Sequence, residues 1–471
     1  MSSKWYPLLA SLVLLAACNS NSDTSGEVDG LDCYPAEAAG YISTLEDAAS
    51  APRDPGGPYS IYLDGSASMV GFIRGGDAAT RLMPDLIGML PELQQVDRGS
   101  TTVLRFDRNL TELDPAARDQ MQTEAAYLCP ASIPNCDAQE SHIDAVLEKI
   151  AAEPADALSV VVSDLWLVND EVLTSSGVAF ARPFGKIFDS GRAIAVYGFP
   201  SPYAGRVSDL PSGRRDVTAT ARYLFVVVAG PPARLDAFHR AMVQAPSARI
   251  AEAFSTGMAR HALFTLEPSV TSQGVQALSA GAGSAMTKML FLPPQQGVTV
   301  SQFSLNRDAA LRSSKPDPGA TWPGISQESL RPGAIWRGPI KGQARLWRQI
   351  DDACAPKGGD WRAEGALAGG WSADGSGQFR IDPAELATLG TGTFLIVGDA
   401  TRVSLASPNP DSQWLRDWSF APSQEGEALE REVVPTLNLA ETARLLELAL
   451  LDSAERKPVK LGGFAAAVKI E

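Results

Sequence analysis

The chain has 471 residues, room for roughly two or three domains, and 45% of them are hydrophobic, enough for a sizeable core. With 40 Lys and Arg against 55 Asp and Glu, the formal net charge is −15, which argues against a nucleic-acid partner, whose phosphates would be repelled. The three histidines are scattered and the cysteine spacings lack the short C-x-x-C type of pairing, so a zinc centre is not expected.

Residues 1–17 read as a signal peptide rather than as part of the fold. Lys4 supplies a positive start, and Leu8 to Leu15 form an apolar run of about eight residues, too short to span a bilayer. Leu15-Ala16-Ala17-Cys18 resembles a bacterial lipobox, which implies cleavage before Cys18 and lipidation of its thiol. Asn19, rather than Asp, by the same resemblance favours the outer membrane, on its periplasmic or its surface face. Acyl chains on one cysteine would anchor the protein stably, since each buried methylene contributes about 0.8 kcal/mol. Residues 18–56 then read as a lipid-anchored tether and linker: 19–31 is too polar to bury a core, and Pro52, Pro55 and Pro58 with Gly56 and Gly57 break regular structure. No later stretch reaches the roughly 18 consecutive apolar residues of a membrane span.

Tyr59–Leu63 is an apolar, β-prone strand that ends in Asp64, with Ser66 and Ser68 following at alternate positions. Ala79–Val96 places Leu82, Leu86, Met89, Leu90 and Leu93 on a helical face. Thr102–Phe106 is a short strand, and Ser141–Ile150 a helix with Ile143, Val146, Leu147 and Ile150 on one side. Leu158–Ser163 is a buried strand that ends in Asp164. A helix over Phe180–Ser190, strands over Ala193–Phe199 and Arg222–Ala229, and a helix over Ala233–Gln244 follow. Pro200 to Ala221 reads as a long surface loop carrying Arg206, Arg214 and Arg215. Continuous apolar strands between amphipathic helices predict an α/β fold with a mostly parallel, Rossmann-like sheet flanked by helices. Ligands bind such sheets beyond the carboxyl ends of the strands, where Asp64 and Asp164 stand.

Asp64-Gly65-Ser66-Ala67-Ser68 is a D-x-S-x-S pattern on the turn that leaves a buried strand, and the segment resembles the first strand and metal loop of a von Willebrand factor A (vWA) domain. The resemblance covers residues 57–250. It implies a metal-ion-dependent adhesion site with Asp64, Ser66 and Ser68 as loop ligands, Ser141 in the place of the family's threonine, and Asp164 bound directly or through water. A hard cation such as Mg²⁺ (or Mn²⁺ or Ca²⁺) takes oxygen ligands of this kind. The family further implies that an acidic residue of a partner protein completes the coordination. Two positions depart from the pattern: Ser141 replaces the usual Thr, and His142 stands where a glycine often follows it. Without metal, Ser66 and Ser68 would hydrogen-bond their own turn. Asp374-Gly-Ser376-Gly-Gln378 echoes the motif, but no strand precedes it and it reads as a solvated turn.

Residues 251–471 are richer in Gly and Pro and read as a β-rich, sandwich-like domain with a C-terminal helix. Short strands are expected in Lys288–Leu292, Val298–Phe303 and Thr393–Val397. Asn438 with Glu441 would cap a helix carrying Leu439, Ala443, Leu446 and Leu450, and Leu461–Ile470 would be the last strand. Of nine tryptophans, Trp322, Trp336, Trp347, Trp361, Trp371, Trp414 and Trp418 fall in this half, either as core or as an exposed stacking surface. Four cysteines besides Cys18 allow alternative disulfide pairings. Cys129 and Cys136 bracket a turn-rich hexapeptide and are the local choice, which leaves Cys33 with Cys354. There is no G-x-S-x-G elbow and no glycine-rich phosphate cradle, and Ser66 stands where a haloacid-dehalogenase phosphatase needs a second Asp, so no enzyme is expected. The expectation is a membrane-anchored binding or adhesion module of the bacterial envelope that captures a protein partner through a divalent metal. The alternatives are an envelope assembly scaffold whose vWA domain is structural and metal-free, and a glycan-binding protein acting through its tryptophan-rich half.

Overall fold

The computed structural model describes residues 34–50, 56–77, 80–93, 101–129, 133, 136–137, 141–166, 178–207, 210, 212–266, 275–290, 299–324, 340–350, 361–367, 370–372, 378–402, 410–456 and 460–471. The signal segment, Cys18, Cys33, Trp336, Cys354, and Asp374 with Ser376 lie outside these residues.

The described chain opens with helix α1 (Ala36–Ser50) and strand β1 (Tyr59–Asp64), then a turn into α2 (Val70–Arg74) and α3 (Met83–Met89). There follow β2 (Thr101–Phe106), β3 (Leu110–Glu112), α4 (Pro115–Gln120), α5 (Ile143–Ala152), β4 (Leu158–Ser163), α6 (Val178–Asp189), β5 (Ala193–Val207) and β6 (Arg215–Gly230). The helices α7 (Pro232–Val243) and α8 (Ala248–Ser255) lead to β7 (Arg260–Phe264). These strands build one sheet in the order β3-β2-β1-β4-β6-β5-β7. β1 runs parallel to both β2 and β4, so the three strands end on the same side. Beyond β4 the neighbours pair antiparallel. The reason is the β5–β6 hairpin: consecutive strands joined without a crossover pair antiparallel, and β6 takes the place next to β4.

The period of two along each strand sorts its side chains between two cores. Ile61 and Leu63 of β1 and Val160 and Val162 of β4 face a core that holds Phe72, Leu86, Leu235 and Ile250. Tyr62, Val161 and Phe225 face the other, with Ile143, Val146, Leu147 and Ile150 of α5 and Phe180 and Phe184 of α6. The sheet is therefore covered by helices on both faces, which is why β4 is buried at every position and β1 at every position but Ser60.

Two stretches of this first sheet and its helices differ from the sequence expectation. The helix expected over Ala79–Val96 spans only Met83–Met89 among the described residues, with Pro84 in its first turn and Pro91, which would break a continuing helix, just after it. The stretch expected as a long loop, Pro200 to Ala221, is mostly ladder: the hairpin stays paired out to Val207 and Arg215, and Pro202 falls where the register shifts, between Ser201 and Tyr203. A proline without an N–H is tolerated at such an irregularity.

The remaining elements are β8 (Ser279–Ala280), β9 (Met286–Lys288), β10 (Val300–Leu305), α9 (Arg307–Arg312), β11 (Ala320–Trp322), β12 (Ile340–Gln349), β13 (Trp361–Ala366), β14 (Phe379–Ile381), α10 (Pro383–Ala387) and β15 (Gly392–Arg402). After them come α11 (Gln413–Asp417), β16 (Ser419–Phe420), α12 (Glu425–Leu429), β17 (Val433–Val434), β18 (Thr436–Leu437), α13 (Leu439–Arg456) and β19 (Lys460–Ile470). A six-stranded sheet, β13-β12-β15-β19-β10-β9, shares one core with the three-stranded sheet β14-β11-β8. Trp322, Phe379, Phe394 and Phe464 fill that core. The other face of the larger sheet is covered by α1, whose Ala38 and Ile42 lie with Tyr34 against Trp347, Leu395, Val397 and Ala465. Part of the stretch read as tether is thus a packed helix.

The boundary between the two units is not a single cut near residue 250. α8 packs in the core of the first sheet and β7 pairs in it, and the chain returns to that unit after residue 410. β17 pairs with β6, placing Val434 beside Arg222, and Leu439, Ala443, Leu446 and Leu450 of α13 join the core of α5 and α6. At the start of α13, Asn438 is left-handed (φ 58°) and Ser419 Oγ accepts the N–H of Ala440 at 2.9 Å.

Candidate metal site

Asp64 ends β1, and the backbone N–H of Gly65 carries the β1–β2 ladder one step further, onto Phe106 O at 2.7 Å. The chain then leaves the sheet in a turn through Ser66 and Ser68. Asp64 Oδ1 accepts the N–H of Ser66 at 2.8 Å, which curls the turn back over the carboxylate. Asp64 Oδ2 accepts from Ser163 Oγ at 2.7 Å and from Ser141 Oγ at 3.3 Å. The hydroxyls of Ser66 and Ser68 lie 3.0 Å apart. Four of the expected ligands, Asp64, Ser66, Ser68 and Ser141, are thereby gathered from two separate stretches of chain.

The turn is held from below and from the side. Arg105 on β2 is 1% exposed and donates to Gly65 O and to Ala126 O, each at 2.7 Å, and to Asp107 Oδ2 at 2.9 Å. Its guanidinium lies so close to Gly65 that a Cβ there would overlap it, which is why this position is glycine. Asp107 in turn accepts the N–H groups of Asn109 and Asp137, and its carbonyl accepts that of His142 at 3.1 Å, fixing the stretch that carries Ser141. The Cys129–Cys136 disulfide closes the loop between these anchors. From the hairpin, Tyr203 OH donates to Ser68 O at 3.0 Å.

Asp164 lies just past β4. Its Oδ1 accepts the N–H of Trp166 at 3.2 Å, and its Oδ2 receives Nη2 of Arg222 at 2.8 Å. Leu165 between them is left-handed (φ 47°), and its N–H bonds Ser163 Oγ at 3.0 Å. Burial, and then the nearby charge of Asp164, push the Asp64 carboxyl up to about 6. Asp64 and Asp164 are both 2% exposed, whereas Ser68 and Ser141 are half-buried, so the cluster is reached from the serine side.

The donor set is all oxygen: hydroxyls and two carboxylates, with no thiolate or imidazole. It fits a hard divalent cation rather than zinc or copper. Among the described residues no three His, Cys, Asp or Glu side chains come together. Asp64, Ser66, Ser68 and Ser141 are the residues of this cluster that could hold such an ion. Asp164 already shares one oxygen with Arg222, so its remaining lone pairs suit a water-bridged role.

Sequence reasoning missed Ser163, Arg105, Asp107 and Arg222. Arg222 had a signal: an arginine opening an apolar run in a doubly covered strand must find a buried acid. Elsewhere, the described tryptophans are buried (Trp322, Trp347) or half-buried (Trp361, Trp371, Trp414, Trp418), and Trp418 stacks on Tyr223 with centroids 3.8 Å apart. His239 and His261 lie with ring centroids 4.5 Å apart beside Tyr197, and burial lowers both, His261 to about 3. No protein-family model, curated protein or solved structure matches the chain.

Proposed function

We propose that the protein is a vWA-like binding module that captures a protein partner through a divalent cation, Mg²⁺ or alternatively Mn²⁺ or Ca²⁺. Asp64, Ser66, Ser68 and Ser141 would hold the ion, with Asp164 acting through water. The observation that carries the reading is the state of Asp64: buried, ringed by the hydroxyls of Ser141 and Ser163, and raised to about 6 by burial and by Asp164. A cation held there would offset both effects. When bound, the ion would supply an open position for a partner's carboxylate.

The chain's own residues set up that encounter. Arg105 and Tyr203 fix the backbone of the turn, and the Ser66 N–H and Ser163 Oγ orient the carboxylate. Ser68 and Ser141 present the more open side. No residue is assigned a catalytic role. The same reading places the protein in the bacterial envelope, anchored to the outer membrane through a lipid on Cys18.

The test is calorimetry and thermal melting of the purified protein with Mg²⁺, Mn²⁺, Ca²⁺ or EDTA, beside Asp64→Ala. Bound metal should stabilise the fold by mass action, about 2.7 kcal/mol at a hundredfold excess over the dissociation constant, and so raise the melting midpoint, and the variant should lose the effect. One observation favours a second reading, an envelope assembly scaffold with a metal-free domain: Arg222 already gives Asp164 a positive charge. A midpoint that ignores chelator and millimolar metal would select it.

A further inference from the structure

The β5–β6 hairpin puts a guanidinium where no part of the metal-loop pattern calls for one. Phe225 of β6 pairs with Ser163, so Arg222, three residues earlier on the antiparallel strand, stands beyond the end of β4 beside Asp164. Its Nη2 bonds Asp164 Oδ2 at 2.8 Å with the two side chains 0% and 3% exposed. The guanidinium carbon lies 4.4 Å from the centroid of the Trp166 ring and 4.7 Å from that of Tyr203, so cation–π contacts hold it in place. Nε and Nη1 have no hydrogen-bond partner among the described residues, although both are buried. Hydrogen bonding alone does not explain a buried arginine left so incompletely bonded. Charge does: an arginine is always cationic, and this one is bonded to the buried carboxylate of Asp164, whose own charge acts on Asp64.

We propose that Arg222 is the resident counter-cation of Asp164 in the cluster that also holds Asp64, and that a divalent ion binds in competition with its charge. Arg222 thereby acts as a positioning residue: it keeps Asp164 from direct ligation and sets the affinity of the site. This inference rests on reading the cluster as a cation site. The two carboxylates and one guanidinium carry one net negative charge when all are ionised, and a divalent ion turns that into one net positive charge. Taking the guanidinium away removes that repulsion and frees an oxygen of Asp164.

Titration calorimetry with MgCl₂ and MnCl₂ on the intact protein, Arg222→Met, Arg222→Lys, Asp164→Asn and the double variant R222M/D164N tests it. Arg222→Met should bind either ion at least about tenfold tighter than the wild type, the scale of one like charge removed from near a divalent ion. Arg222→Lys, which keeps the charge, should stay near the wild type. Asp164→Asn should weaken binding, and adding Arg222→Met to it should restore affinity. That recovery decides the matter even if Arg222→Met alone fails to fold, and a purely structural arginine would not produce it. Unchanged or weaker binding in Arg222→Met, with no recovery in the double variant, overturns the inference and leaves metal binding by the wild type standing. Binding in Arg222→Met with none in the wild type upholds the inference and removes the metal dependence proposed for the natural protein. No binding in any variant overturns both.

Discussion

Asp64→Asn should stabilise the metal-free protein and abolish its response to metal. Asp64 is 2% exposed, and its carboxyl is raised from 3.8 to about 6, first by burial and then by Asp164. A carboxyl with a higher pKa in the folded chain holds its proton more tightly there, so it favours the fold on the acid side. That contribution is lost as the pH rises from about 4 through about 6. Above that range the ionised side chain costs the fold about 3 kcal/mol relative to the unfolded chain, at 1.36 kcal/mol for each unit of pKa. Asparagine keeps the shape, and its Oδ1 still accepts the N–H of Ser66. Its amide donates to the hydroxyls of Ser141 and Ser163, which can accept. In EDTA at pH 8 the variant should therefore melt above the wild type, by about 5–10 °C for a unit of this size, and the gap should shrink at pH 4.5. Scanning calorimetry reads both. A variant that melts below the wild type at pH 8 would show that hydrogen bonds to the carboxylate outweigh its burial. A gap that does not change with pH would show that charge is not the cause.

Gly65→Ala should cost about 1–3 kcal/mol in urea unfolding, because the new methyl meets a buried Arg105 that its bonds to Gly65 O, Ala126 O and Asp107 prevent from moving aside. His261 has its pKa lowered to about 3 in the fold, by burial and then by His239, so the unfolded chain takes up a proton first. The stability it contributes falls as the pH drops from about 6.5 toward 3, and His261→Phe should flatten that part of the profile in denaturant titrations at successive pH values. Replacing Cys129 and Cys136 together by Ser opens a loop with a sequence separation of 7, and should cost about 2–3 kcal/mol in guanidinium unfolding. Equal midpoints for the oxidised wild type and the double serine variant would contradict that estimate.

The parts of the fold that the sequence made legible are those whose neighbours are local or whose pattern is periodic. Leu158–Ser163 is buried at every position, with four apolar residues among its six, because both its faces are covered, and the turn after β1 follows an unbroken strand. Asp64, Ser66, Ser68 and Ser141 are grouped through the resemblance to the vWA metal loop, and periodicity adds only that each sits at the edge of such an element. The hairpin was not legible: Pro200, Pro202 and the arginines of its outer half look like loop, and only pairing with the opposite strand makes them ladder. Pairings between distant stretches leave no local mark, which is why the contribution of β17 and α13 to the first sheet was missed. α1 did leave one. Tyr34, Ala38 and Ile42 fall at helical spacing, but the polar residues before them and the prolines after them drew attention to a tether.

The chain alternates between its two units, with α1 in the second, β1 to β7 in the first, β8 to β15 back in the second, α11 to α13 in the first again, and β19 in the middle of the second unit's larger sheet. Neither unit can be excised as one gene segment. A scission near residue 270 would strip the first of α13 and the second of α1, yet both cut pieces would still carry surfaces shaped for each other. The natural way to divide this molecule is therefore fragment complementation, with the two pieces produced side by side and reassembling through α13 on α6 and α1 on β15 and β19.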